Sequence, residues 1–176
     1  ERGARVFLIN PFHDFGALPE PTREAAFARR QKVADRGFLD AFERFARDEG
    51  VTGVAGFCLG GFYIFELARR DLPAALVGLY GFPQGMANDD PLPVPFDYLP
   101  DTTRPFTMLM PAEDAAVGPD IVRRLQEMAP RAPAMDLVVY PGAGHGFLPE
   151  LDAGDPAARA RAEDALHRMD GVLLKT

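Results

Sequence analysis

Val51-Thr52-Gly53-Val54-Ala55-Gly56-Phe57-Cys58-Leu59-Gly60-Gly61 is the stretch on which the reading of the fold turns. Its first seven residues are a short apolar and small-residue run, the pattern of a strand buried on both faces. From Gly60 to Arg70 the pattern changes to helical, with Phe62, Phe65, Leu67 and Ala68 as packing residues. A buried strand that runs straight into a helix is the first half of a βαβ unit.

The same alternation extends in both directions. Upstream, Arg5 to Asn10 reads as another short buried strand closed by Pro11. Arg23 to Glu49 carries apolar residues near helical spacing, with Gly37 as the point where it would break into two helices and Gly50 as its C-terminal stop. Downstream, Ala75–Tyr80, Phe106–Met110 and Met135–Tyr140 read as strands, and Ile121–Met128 and Pro156–Leu174 as helices. Residues 81–104 are rich in proline and should be irregular. This is the signature of one α/β domain over residues 1–176, a mostly parallel sheet with helices on both faces.

Bulk composition excludes several classes. The chain has 176 residues, 47% hydrophobic and 26% charged, the values of an ordinary globular domain. A net charge of −7 offers no electrostatic footprint for nucleic acid or an anionic membrane. No apolar run approaches the ~18 residues of a membrane span. Seventeen arginines stand against only Lys32 and Lys175, a bias that looks compositional. Cys58 is the single cysteine, so no internal disulfide forms, and a reducing, cytoplasmic setting is expected. His13, His145 and His167 are too scattered to suggest metal ligation.

Chemistry is expected where parallel strands end, because ligands bind outside their carboxyl ends. Three such ends carry reactive side chains in the order nucleophile, acid, base. Gly56-Phe57-Cys58-Leu59-Gly60 follows one strand, Pro111-Ala112-Glu113-Asp114 another, and Gly142-Ala143-Gly144-His145-Gly146-Phe147 a third. Gly-x-Cys-x-Gly has the spacing of a nucleophile elbow, in which small residues two positions away let the backbones close around a strained turn. The helix behind the elbow points N–H groups at the sulfur and favours the thiolate. Leu59 N–H is the natural first oxyanion donor, His145 the proton shuttle, and Asp114 the group that orients the imidazole. Glu113, adjacent to Asp114, is the competing acid. His13 also follows a strand and reads as either a pocket residue or an ordinary loop residue. Tyr80 either lines the pocket or packs, and His167 reads as surface.

These two glycine-flanked motifs together, with Asp114 between them, resemble the dienelactone hydrolase family over the span from Arg5 to the C-terminal helix. The resemblance implies an α/β-hydrolase fold, no cofactor, and hydrolysis of a small ester or lactone through an acyl-cysteine. It also implies strand-containing units upstream of Glu1, which would make this chain N-terminally incomplete. In the family that part supplies a second oxyanion N–H, a glutamate that helps activate the cysteine, and a strand lying between the segments Arg5–Asn10 and Val51–Phe57. Dienelactone hydrolases proper tend to carry an arginine four residues after the histidine to bind a substrate carboxylate; Pro149 stands there in this chain.

Two other readings remain. A glutamine-amidotransferase-like cysteine hydrolase shares the elbow, but Phe62 and His145-Gly146-Phe147 replace its usual Gln and His-x-Glu. A non-catalytic remnant or fragment of a hydrolase is the other.

Overall fold

In the computed structural model, which describes residues 3–174, four parallel strands form one sheet in the spatial order β1-β2-β3-β4. They are β1 (Gly53–Phe57), β2 (Ala75–Leu79), β3 (Phe106–Pro111) and β4 (Met135–Tyr140). Gly56 lies opposite Gly78, Leu79 opposite Leu109, and Pro111 opposite Tyr140. All four strands therefore end on the same edge of the sheet.

The helices are α1 (Arg23–Gln31), α2 (Asp35–Asp48), α3 (Leu59–Arg69), the short α4 (Pro95–Tyr98), α5 (Pro119–Met128) and α6 (Pro156–Leu173). Period-2 alternation in the strands divides the core into two layers. Phe106, Met108 and Met110 of β3 join Met135 of β4 on one face, where Leu39 of α2, Phe62 and Phe65 of α3, and Leu125 of α5 cover them. Leu109 and Tyr140 join Val77 and Leu79 on the other, under Ala165 of α6. Alanines at 158, 162 and 165 are buried, and their small side chains let α6 lie close to the sheet. Helices thus cover both faces.

Two expectations need correction. Arg5 to Asn10 is not a strand: the segment is irregular, with Val6 84% and Leu8 97% exposed. An extended segment becomes a strand only when a neighbour pairs with its N–H and C=O groups, and here none does. What tethers it is the Arg5 guanidinium on the Glu49 carbonyl and carboxylate and the Phe7 ring, edge-on to Phe45 at 5.0 Å. The helical stretch does divide in two, but at Lys32–Ala34, not at Gly37, which sits inside α2. Glycine in a helix interior costs only about 1 kcal/mol, less than α2 gains by burying Leu39 and Ala46. Gly50, at φ 62°, follows the helix end as expected.

No described helix is long and apolar enough to cross a membrane. Glu1, Arg2, Lys175 and Thr176 lie outside the described residues.

Candidate active site

Cys58 occupies the turn between β1 and α3 with φ 55° and ψ −109°. Among the described residues only Cys58 and Tyr80 have positive φ without being glycine. Such a conformation is strained and survives only where its surroundings over-determine it. Here Cys58 N–H donates to the Leu79 carbonyl at 3.1 Å, and its own carbonyl accepts from Phe62 N–H at 3.0 Å. The turn is stapled to β2 on one side and to α3 on the other.

The glycines explain how it closes. A Cβ on Gly56 would lie 2.1 Å from the Gly60 carbonyl oxygen, so any side chain there strikes backbone. Gly60 itself has nothing within 4 Å of a Cβ position. The second tight position is Gly61, where a Cβ would lie 2.5 Å from the Leu79 carbonyl and 2.9 Å from Gly81 Cα. The expectation that the elbow needs glycine two residues to each side thus holds for Gly56 and not for Gly60. Close packing of α3 against the end of β2 fixes the second glycine one residue later. The first bond into α3 is Phe62 N–H to Cys58, so Leu59, Gly60 and Gly61 N–H groups sit at the helix start without intrahelical partners.

Asp114 and His145 arrive from β3 and β4. Asp114 is fully buried, and its Oδ1 accepts from the N–H groups of Ala116 and Val117 at 2.9 Å each. Its Oδ2 lies 2.8 Å from Nδ1 of His145, with Oδ1 at 3.1 Å. Glu113 is exposed, and only its backbone is engaged, donating to Ala143. The choice left open between the two acids falls on Asp114 as the partner of His145. Gly142 and Gly146, at φ 74° and 72°, turn the chain on either side of His145. Its outer side is closed by Arg161, which covers Gly142 and pairs with Glu150 at 3.2 Å.

Aromatic rings hold the imidazole from two sides: Tyr80 edge-on at 5.0 Å and Phe82 at 5.7 Å. Phe147 and Phe57 pack on Tyr80 in turn, each with ring centres 6.2 Å away. Asp114 first, and then a hydrogen bond to Cys58, raise His145 from 6.5 to about 9, against the opposing effect of burial. Burial, and then the charge of Cys58, push the Tyr80 hydroxyl up to about 12, so it stays protonated. Both shifts place the sulfur among the electrostatic neighbours of the imidazole and the phenol.

The sequence profile of the dienelactone hydrolase family matches residues 20–175. The chain belongs to that family. It is 46% identical over 175 residues to carboxymethylenebutenolidase 2 of Cupriavidus pinatubonensis, covering 99% of this chain and 74% of that protein. Carboxymethylenebutenolidase of Rhodococcus opacus is 28% identical over 186 residues, covering 96% and 69%. A Klebsiella pneumoniae structure assigned to the dienelactone hydrolases superposes with a TM-score of 0.70 at 24% identity, covering 89% of this chain and 69% of that one, and it shares the α/β-hydrolase fold. Membership makes this chain a hydrolase by relationship.

The remaining sequence candidates separate cleanly. His13 lies in an exposed short turn and His167 on the exposed side of α6. Tyr80, left open between packing and pocket, does both. Sequence reasoning missed Phe82 and the Gly61–Gly81 contact; the only local signal was the aromatic and glycine run Tyr80-Gly81-Phe82 at a strand end. Among the described residues no three His, Cys, Asp or Glu side chains are grouped to hold a metal ion.

Proposed function

We propose that this dienelactone hydrolase family member cleaves a small carboxylic ester or lactone through an acyl-cysteine on Cys58, with His145 and Asp114 completing a triad. The observation that carries the reading is the strained Cys58 elbow facing a histidine locked by a buried aspartate at 2.8 Å. The related carboxymethylenebutenolidases supply the substrate class.

The sulfur attacks the carbonyl carbon as the thiolate, forming the C–S bond, and the oxygen becomes an oxyanion received by Leu59 N–H. Collapse breaks the C–O bond, and the departing alkoxide takes the imidazolium proton of His145. Water then gives a proton to the neutral imidazole as it attacks the thioester, and a second collapse expels the thiolate and the carboxylic acid. Acylation also retunes the base. The hydrogen bond and charge of Cys58 are among the causes that raise His145, and acylation removes both. The ring therefore becomes less basic at the stage where it must start neutral. No cofactor enters this scheme, and the lone cysteine supports a cytoplasmic setting in which its thiol stays reduced.

The pH dependence follows from His145. Because acylation needs its proton, kcat/KM on a p-nitrophenyl ester is expected to fall as pH rises above about 9. Since the folded value exceeds the ordinary 6.5, the protonated ring stabilises the fold fully below 6.5. That stability is lost progressively up to about 9, so the melting temperature should fall through this window and fall less in His145→Gln. A flat profile through pH 10 in both measurements would remove His145 as the proton donor.

Asp114→Asn is expected to lower kcat by about 10⁴-fold, because an amide in that place selects the wrong imidazole tautomer. The Asn carbonyl can still accept from Ala116 and Val117, so thermal stability should change far less than rate. A loss under tenfold would argue that Asp114 only anchors its loop.

A further inference from the structure

A second cavity lies beside the triad and is not used by the scheme above. It measures about 190 Å³ and is lined by Phe27, Arg30 and Gln31 of α1 and by Phe82, Gly85, Met86 and Ala87 of the loop after β2. Phe82 is shared: its ring also packs at 5.7 Å from the His145 imidazole. The cavity therefore adjoins the reacting centre through one aromatic wall. A cavity of ~150 Å³ accommodates benzene, so this one is large enough for a short branched substituent.

Its polar element is Arg30, whose side chain is only 5% exposed. Nη2 of Arg30 is bound to Asp35 Oδ2 at 2.6 Å, and Tyr63 donates to Asp35 Oδ1 at 2.5 Å. Nε and Nη1 are buried with no hydrogen-bond partner. Buried N–H donors without partners are costly and uncommon in folded proteins. The loop is tied to the same corner, since Asn88 donates to the carbonyls of Arg30 and Val33, and Asp89 N–H to that of Gln31. The pocket is thus a held apolar slot with two free donors, the form of a specificity site.

Charge decides which acceptor it suits. Arg30 is already neutralised by Asp35, so a second carboxylate would meet a net-neutral pair and repulsion from Asp35. A neutral oxygen meets only the free donors.

We infer that the Phe27–Arg30–Phe82–Met86 pocket binds a short substrate substituent carrying an uncharged oxygen acceptor, a ketone or lactone carbonyl, and discriminates against both an apolar and a carboxylate substituent there. This rests on the ester or lactone hydrolase reading. It agrees with Pro149, which offers no cation after His145.

The test compares esters in three isosteric forms, bearing a methyl ketone, an isopropyl group or a carboxylate on a two-carbon arm, placed on the acyl or the alcohol side. Ethyl acetate, too short to reach the pocket, is the control. In one series kcat/KM for the ketone should exceed that for each of its isosteres by about tenfold or more. Arg30→Lys keeps a cation for Asp35 but removes the guanidinium donors, and should erase that preference while ethyl acetate turnover holds. Ala87→Phe, at an exposed position on the pocket wall, should slow all three longer esters and spare ethyl acetate. A ketone preference that survives Arg30→Lys in a folded chain, a preference for the carboxylate, or no preference in either series overturns the inference. Should even ethyl acetate resist hydrolysis, the hydrolase reading fails separately. Saturation-transfer NMR with 2-pentanone then decides the pocket alone: contact that is lost in both variants supports it, and contact unchanged in both refutes it.

Discussion

Cys58→Ala is expected to lower kcat on p-nitrophenyl acetate by on the order of 10⁶-fold, as removal of the nucleophile does when a triad acts as a unit. The remaining oxyanion donor and binding contacts would leave a small residual rate. The fold should be unaffected, because the elbow is held by backbone bonds from Cys58 to Leu79 and from Phe62 to Cys58, not by the sulfur. Initial rates and a melting curve on the same preparation check both parts. Turnover equal in chain and variant would sink the claim that Cys58 carries hydrolysis, and would favour a non-catalytic relative of the family. Turnover lost together with the fold would show that the sulfur has a packing role this account omits.

Gly56→Ala should destabilise by at least about 3 kcal/mol, the upper end of the overpacking range, whereas Gly60→Ala should change stability by no more than about 1 kcal/mol, in the stabilising direction. The two glycines flank the same cysteine at the same spacing, so the contrast is diagnostic. A Cβ at position 56 meets a backbone carbonyl at 2.1 Å, and a backbone cannot rotate out of the way as a side chain can. At position 60 a Cβ meets nothing within 4 Å, and alanine lowers the conformational entropy of the unfolded chain. Urea denaturation of both variants reads the difference directly. Similar losses in the two would mean that the elbow tightens symmetrically and that Gly61 is not the second constrained position.

The legible parts of the fold were those governed by short-range pattern. Met135–Tyr140 reads as a strand from six residues of sequence and is one. Its neighbour Phe106–Met110 gains only Pro111. The two-helix division between Arg23 and Glu49 was legible, but its position was not. Glycine propensity points to Gly37, while the burial of Val33 and Asp35 at the junction places the break before it. The segment Arg5–Asn10 failed for the opposite reason. Its apolar run has strand character, but strand character needs a partner, and pairing is a property of two segments.

The candidate site divides along the same line. The sequence alone determined that a cysteine, an acid and a histidine stand at the ends of parallel strands in a hydrolase-like order, because strand ends, glycine spacing and chain order are all written locally. Tertiary structure decided that Asp114 and not Glu113 meets His145, that Gly61 and not Gly60 packs against Gly81, and that Tyr80 and Phe82 enclose the imidazole. It also decided that Arg30 is buried beside Phe82 with donors to spare. Each of these joins residues from different strands or helices, and the register between those elements is set by packing of the whole core, which no single stretch of sequence encodes.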